Sequence, residues 1–500
     1  MQTPQLGNRR SRALPLAISS GVLYALAMPP FAAWPLAFLC LAPLLHALRG
    51  RGVLARIACG ATAGAVAGWG TSLVPTAVGL ASFFDRPLIF GVFAALAING
   101  AVGGSAFALF AVLAGDPARG RAALVPWRVG AAFALCEIAR SQLFTGLPWL
   151  LLAHALAPAP ALAQPAAWIG VVGVSLALAV ANGAIAMLLR RDARGSAALC
   201  LAALALAFAS ADRCAPAVAI GDPGSIARAE PAAAARAGAL RVALIQPGTR
   251  SDSLRDATGV ASRLDQLIAV TRSALPADLV VWPENSIGVA LPANESLVRD
   301  AVAKLSPRPA LLFGAPTYDA ASPTRVFNSM LLWDANGAAL GRSDKTQLLP
   351  FTEFVPRVFA VFGVRGGHTA PGASIAPLAW RDTKLGILIC YELLFPDLAR
   401  ELIRQDAGVL VNPSNDAWFE DSAGPDQMAA AAVLRAIATR RPLLRATPTG
   451  ITVAIDARGR VVAQLARGAS GGLIVDVWPA SPGISGFPLP ASAPNRLNKR

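Results

Sequence analysis

The chain has 500 residues, of which 55% are hydrophobic and 15% charged, too apolar for a wholly soluble globule, a disordered chain or a disulfide-rich secreted module. At ~150 residues per domain there is room for about three units. The 44 Lys and Arg against 29 Asp and Glu leave a net charge of +15, which by itself fits nucleic acid, anionic lipid or the positive loops of a membrane protein.

The position of the charge separates these classes. From Leu14 to about Ala211 the chain is a series of apolar runs divided by short joints. Seven runs approach the ~20 residues needed to cross a bilayer: roughly 14–29, 33–48, 54–74, 88–114, 124–142, 165–189 and 196–212. Arg9, Arg10 and Arg12 precede the first run, and Arg49, Arg51 and Arg56 lie between the second and third. Arg119, Arg121 and Arg128 lie between the fourth and fifth, and Arg190, Arg191 and Arg194 between the sixth and seventh. The alternate joints carry almost no Arg or Lys, Arg86 and Arg140 being the nearest. Positive charge on every second joint is what a cytoplasmic N-terminus requires. Seven crossings then put everything after Arg213 on the outer face, and no nucleic-acid partner is expected. The first run leads at Pro29 and Pro30 directly into the second, unlike a cleaved signal peptide. Pro148 and Trp149, near the outer end of a span, fit interface anchors.

The sequence thus divides into a transmembrane helical domain over 1–213, a linker over 214–239 rich in Ala, Pro and Gly, an α/β domain over 240–480, and a tail over 481–500 without a clear span. In the third part LRVALIQPG (240–248) reads as a strand ending in a turn, 256–275 as a helix, and ADLVVWPEN (277–285) as a buried strand ending on polar residues. PALLFGAP (309–316) and a hairpin over 327–345 with Asn336-Gly337 as its turn follow. Then come KLGILICYE (384–392), a helix near 395–405, GVLVNPSND (408–416), a helix near 425–441 and two last strands around 456–459. Strands alternating with helices predict a layered α/β domain.

Cys40, Cys59, Cys136 and Cys200 lie in or beside spans and Cys214 just past the seventh, leaving Cys390 as the one thiol of the outer domain. The three histidines, His46, His154 and His368, form no cluster, so no metal site is expected, and a Cys-His pair rests on His368 alone. Glu284, Lys345 and Cys390 each follow a predicted strand, where α/β folds gather reactive groups. Taken singly, each is more often a solvated or buried structural residue. Together they suit a single kind of chemistry, in which the carboxylate takes the thiol proton, the thiolate attacks a carbonyl, and the ammonium holds the oxyanion. Lysine occurs only at Lys304, Lys345, Lys384 and Lys499, so its use at 345 fits a need for a compact ammonium.

WPEN around Glu284, KTQLLPFTEFVP from Lys345 to Pro356, ICYE around Cys390 and SNDAWF from Ser414 to Phe419 resemble the Glu-Lys-Cys signatures of the nitrilase (carbon–nitrogen hydrolase) superfamily. Behind a multi-span N-terminus the set resembles the membrane-bound branch, the apolipoprotein N-acyltransferase family. ALAMPPFAAWPLAFLCLAPLL near 25–45 and EIARSQLFTGLPWLLLAH over 137–154 are similar to membrane segments of that family. The resemblance implies an α-helical transmembrane bundle of about seven spans joined to a nitrilase-like αββα sandwich on the periplasmic face of the bacterial inner membrane. It implies a monomer without cofactor, with a phospholipid acyl donor, a diacylated lipoprotein acceptor and inner-membrane lipids as partners. Cys390 would take the sn-1 acyl chain as a thioester and the α-amine of a diacylglyceryl-cysteine would receive it. By motif position Glu284 is the general base, Lys345 the oxyanion stabiliser, Cys390 the nucleophile and Glu353 a supporting carboxylate, while Tyr391 and Glu392 match an essential Tyr-Glu pair. Trp418 and Phe419 either face the acyl path or simply pack. VPRVFAVFGV (355–364), with Arg357 and Arg365 beside it, suits a membrane surface or a tucked core loop.

The chain also departs from the family pattern. No eighth span follows the α/β domain, Met428 stands for a His, Ala438 for a Glu and Pro448 for an Asn, and a Lys-Trp after the strand ending at Gln246 is missing. These positions lie around the triad, so the expectation is retained chemistry with altered donor or acceptor preference, as in a diverged paralogue. A membrane-tethered amidase sharing Glu284, Lys345 and Cys390, and a non-catalytic scaffold, are the other classes.

Overall fold

The computed structural model describes residues 12–119, 121–188, 194–215, 219–222, 224–229, 237–249, 259–319, 322–355, 367, 369–419 and 421–483. The expected loop at 355–364 beyond Val355, with Arg357 and Arg365, together with His368 and the tail beyond 483, lies outside them. The chain forms two compact units, one of Met1–Pro216 with Asp421–Leu434 and one of Ala217–Glu420 with Arg435–Arg500.

The first unit is helical. Among the described residues four helices are long and apolar enough to cross a membrane: Val53–Phe84, Leu88–Ala114, Ala166–Leu188 and Arg194–Cys214. The other three expected spans take different forms. Ala13–Ala27 is a 15-residue helix, and Val125–Gln142 is an 18-residue helix carrying Arg128, Glu137 and Arg140. The run 33–48 is divided into a 3-10 turn, Trp34–Phe38, and a short helix, Ala42–Ala47, each with a proline in its first turn. Backbone groups freed by this break need partners away from water. Asn182 supplies them: its Oδ1 accepts the Leu41 N–H at 2.7 Å and its Nδ2 donates to the Ala37 carbonyl at 2.8 Å.

Helices Val53–Phe84 and Leu88–Ala114 touch through glycines. A Cβ on Gly64 would lie 2.0 Å from the Gly103 carbonyl oxygen, and one on Gly103 2.2 Å from that of Gly64, so only small residues allow this approach. Pro75 lies inside the first of these helices and has no N–H for the Thr71 carbonyl four residues earlier. Gln427 fills that gap, its Nε2 donating to Thr71 O at 2.7 Å while its Oε1 accepts the Trp149 indole N–H at 2.7 Å. The expected interface residue Trp149 thus has an internal partner.

The second unit is built on two sheets. Strands β1 (Ile226–Arg228), β2 (Leu240–Gln246), β3 (Leu279–Val281), β4 (Ala310–Asp319), β5 (Ser322–Trp333), β6 (Ala339–Asp344) and β13 (Gly471–Val477) form one sheet, ordered β1-β13-β2-β3-β4-β5-β6. Strands β7 (Leu378–Trp380), β8 (Thr383–Ile387), β9 (Val409–Pro413), β10 (Leu443–Ala446), β11 (Val453–Ile455) and β12 (Val461–Gln464) form the other, ordered β12-β11-β10-β9-β8-β7. The middle trios β2-β3-β4 and β8-β9-β10 are parallel and read as continuous apolar runs because both faces are covered.

Alternate residues serve alternate faces. Leu244, Val281, Leu312 and Met330 pack between the sheets with Ile387, Val411 and Leu444. Ile245, Val280, Trp282 and Phe313 point the other way, against Leu264 and Ile268 of helix Val260–Ser273 and Val298 of helix Leu291–Val302. Helix Pro396–Arg404 covers β8 through Leu402. The layering is helix, sheet, sheet, helix. One segment of the expected linker differs: Ile226–Arg228 pairs antiparallel with β13, and Ile226 joins the inter-sheet core, so burial turns part of the tether into an edge strand.

Candidate active site

Glu284 sits three residues beyond β3, on a turn made tight by the neighbouring strand. A Cβ on Gly314 of β4 would lie 2.4 Å from the Asn285 nitrogen, so a side chain there would push the turn away. Asn285 takes a left-handed φ of 50°, and the Ile287 N–H donates to the Gly314 carbonyl at 3.3 Å. Glu284 is 5% exposed, and both its carboxylate oxygens are engaged. Oε1 accepts from Asn328 Nδ2 at 2.7 Å and from Lys345 Nζ at 3.1 Å, and Oε2 accepts the Asn415 backbone N–H at 2.8 Å.

Lys345 follows β6, its backbone N–H donating to the Asn328 carbonyl at 2.8 Å. Its ammonium is 2% exposed and lies 2.9 Å from Glu353 Oε2 as well as beside Glu284. Asn328 donates to Glu353 Oε1 at 2.9 Å too, and the Leu349 N–H donates to Glu353 Oε2 at 2.8 Å. One ammonium and one amide are thereby fixed between two carboxylates, an arrangement in which the ammonium cannot swing without losing a charge partner.

Cys390 opens a 3-10 turn after β8, Cys390–Leu394, with a left-handed φ of 51°, unusual for a residue with a Cβ. Three buried side chains impose that turn. Asn412 Nδ2 donates to the carbonyls of Leu388 at 2.5 Å and Cys390 at 3.2 Å. Glu392 Oε2 accepts the Ile389 N–H at 2.8 Å. Arg435 donates from Nε to Leu393 O and from Nη2 to Leu394 O, each at 3.0 Å. Asn412 is itself held by Arg445, whose Nη2 is paired at 2.5 Å with Asp416 Oδ1, and Ser414 Oγ donates to the same oxygen at 2.9 Å.

Burial pushes the Cys390 thiol up to about 12, aided by the charge of Glu284 and opposed by the Lys345 ammonium and a hydrogen bond from Ser414, with Asp416 adding a smaller upward push. The resting nucleophile is therefore a thiol that needs a base. Burial works against the Lys345 charge, but Glu284, Glu353 and Cys390 outweigh it and hold Lys345 well above the ordinary lysine range. Burial also raises Glu392, against hydrogen bonds from Thr346, Gln347 and Ile389. Among the described residues no three His, Cys, Asp or Glu side chains are grouped to hold a metal ion.

The structure brings Glu284, Lys345, Glu353 and Cys390 into one electrostatic cluster and places Glu392 against both flanking loops. Tyr391 is 1% exposed and stacks edge-on to Phe395 at 5.1 Å, a packing position behind the thiol. Trp418 and Phe419 are half-buried on a turn, Asp416–Phe419, that also holds Asp416. The supporting roles of Asn328, Asn412, Arg435 and Arg445 do not emerge from the sequence alone. The available signal is a polar residue in an apolar strand for Asn412 and Arg445, and an arginine within the apolar run 428–438 of a helix for Arg435; Asn328 stands in a strand of mixed polarity.

The carbon-nitrogen hydrolase family model matches residues 241–481, and the apolipoprotein N-acyltransferase N-terminal domain matches residues 20–184. A protein named apolipoprotein N-acyltransferase from Caulobacter vibrioides is 32% identical over 481 residues, covering 91% of this chain and 87% of its own length. The chain belongs to the apolipoprotein N-acyltransferase family. Members of the same name from Rhizobium rhizogenes, 32% identical over 90% of this chain and 87% of that one, and Geobacter metallireducens, 31% identical over 89% and 85%, match along the same extent. Membership in the apolipoprotein N-acyltransferase family accounts for both the helical unit and the two-sheet unit.

Proposed function

We propose that this chain is a membrane-bound acyltransferase that moves an acyl chain from the sn-1 position of a phospholipid, through a thioester on Cys390, to the N-terminal amine of a diacylglyceryl-cysteine lipoprotein. The observation that carries this reading is the clamped set: a thiol in the electrostatic range of a carboxylate, Glu284, and of an ammonium, Lys345, that two carboxylates hold in place. In the first half-reaction Glu284 takes the thiol proton as the sulfur bonds to the ester carbon, and the oxyanion faces the Lys345 ammonium. The C–O bond then breaks, and the departing lysophospholipid alcohol takes the proton from Glu284. In the second, the amine attacks the thioester, Glu284 takes one of its protons, and the amide forms as the C–S bond breaks and the thiol regains that proton. Glu353 and Asn328 position Lys345 and Glu284, and Glu392 positions the nucleophile turn. The alternation of the arginine-bearing joints supports a cytoplasmic side at those joints, with residues 240–480 as the catalytic domain on the periplasmic face of the inner membrane.

Detergent-purified protein incubated with phosphatidylethanolamine is expected to gain a hydroxylamine-sensitive acyl adduct by intact mass. The adduct on Cys390→Ala, or its absence from the wild type, rejects the nucleophile. An acylated enzyme that leaves a diacylated lipopeptide unconverted rejects the acceptor and keeps the first half-reaction.

A further inference from the structure

The joints of the helical unit hold a group of arginines that the chemistry above does not use. Arg56, near the start of helix Val53–Phe84, and Arg128, near the start of helix Val125–Gln142, converge on Gly115. A Cβ on Gly115 would lie 3.4 Å from Arg56 Nη1 and 3.9 Å from Arg128 Nη2. Among the described residues neither guanidinium forms an ion pair with a carboxylate. Arg128 donates to backbone, to Asp116 O at 2.9 Å and Arg119 O at 3.4 Å. The Nε atoms of Arg56 and Arg128 are both shut off from solvent and have no partner among the described residues. The acid at this joint, Asp116, is taken by Arg119 at 3.6 Å. Two neighbouring guanidiniums without a counterion repel each other and waste donors that match a phosphate fork.

The surroundings identify the anion's carrier. Val53, Leu54, Leu124 and Trp127, flanking the two arginines in sequence, are exposed. Pro117 and Val125 of the same joint also line a small, mainly apolar cleft with Leu45, His46, Arg49 and Met187. A ligand with a negative head and hydrocarbon tails satisfies both the arginine pair and the exposed apolar side chains beside it, and a free ion satisfies only the first.

We infer that Arg56 and Arg128 bind the phosphate of an anionic phospholipid whose chains lie along Leu54, Leu124 and Trp127, a lipid held for structure and separate from the acyl donor. Clustered arginines beside membrane helices bind acidic head groups in this way, and a ligand that binds only the folded state raises its melting temperature.

The test uses the full chain in neutral detergent, with phosphatidylglycerol, phosphatidylcholine or inorganic phosphate added. Phosphatidylglycerol is expected to raise the melting temperature at least about 3 °C beyond phosphatidylcholine, by an amount that shrinks with added salt. The pair Arg56→Gln with Arg128→Gln is expected to abolish that difference, whereas Arg86→Gln, at another joint, keeps it. Equal shifts with both lipids, an undiminished shift in the double variant, or the same shift from inorganic phosphate overturns the proposal. If the double variant does not fold, native mass spectrometry of the wild type decides, by enrichment of phosphatidylglycerol over phosphatidylcholine or its absence.

Discussion

Glu392 accepts the Thr346 backbone N–H at 2.6 Å, so the residue two places after the thiol holds the residue next to the ammonium. The same oxygen accepts the Thr346 hydroxyl at 2.7 Å and the Gln347 N–H at 3.0 Å, while the other oxygen accepts Ile389 N–H. One buried carboxylate thereby sets the spacing between the Lys345 loop and the Cys390 turn.

Glu392→Ala strips four donors of their acceptor, and each of the three buried ones costs about 1–3 kcal/mol when left unsatisfied. The expected outcome is a clear drop in melting temperature and a loss of acylation of about 100-fold or more, since misplacement by an ångström has that effect. Glu392→Gln retains an acceptor oxygen and should lose less on both. Thermal unfolding and single-turnover acylation by intact mass check the pair.

Glu284→Gln separates the state of the thiol from its reactivity. The negative charge of Glu284 helps push the Cys390 thiol up to about 12, so its removal lowers that value and the thiolate appears at lower pH. Acylation should nonetheless fall about 100- to 10,000-fold, because no base takes the proton. Thiolate absorbance against pH, measured beside acylation, gives both; faster acylation in the variant would remove Glu284 from the role of base.

Asn328→Asp puts a third carboxylate between Glu284 and Glu353, where Asn328 now donates to both. Two donations become repulsions. Activity should fall at least about 10-fold and recover partly as pH is lowered, because protonating one of the three acids relieves the conflict. A pH–rate profile identical in shape to the wild type would show that Asn328 does not bridge them.

Gly314→Ala places a methyl group 2.4 Å from the Asn285 nitrogen, and overpacking of this kind destabilises by about 1–3 kcal/mol. The turn bearing Glu284 must shift. Melting temperature and acylation should fall together, in contrast to Glu284→Gln, which removes chemistry without overpacking.

Gln427→Ala leaves the Thr71 carbonyl, already deprived by Pro75, without its donor. Interhelical hydrogen bonds in membranes are worth about 0.6–2 kcal/mol, so a modest loss of thermal stability in detergent is expected. Pro75→Ala restores a backbone N–H to Thr71 and should make the Gln427 substitution less harmful; equal costs in both backgrounds would refute the link.

The class of both units and the candidate reacting trio were legible in the sequence because each rests on local signals. Length and hydropathy mark membrane segments, short apolar runs ending on turn or polar residues mark strands, and Glu284, Lys345 and Cys390 stand at strand ends. Helix continuity was not legible for 33–48, since a hydropathy count does not register that two prolines break the run or that Asn182, far along the chain, makes the break tolerable. The edge strand Ile226–Arg228 was hidden for the same reason, its partner lying near the far end of the chain.

What the sequence by itself determined is the inventory: one thiol in the α/β domain, one strand-end lysine and the carboxylates that could serve them. Only the tertiary structure decided which of those carboxylates meets which partner. Glu284 and Lys345 are 61 positions apart, and Glu392 and Thr346 are 46. Hydrogen bonds across such separations depend on strand order and burial, and at the buried strand ends of two packed sheets a charge persists only where the fold delivers its partner.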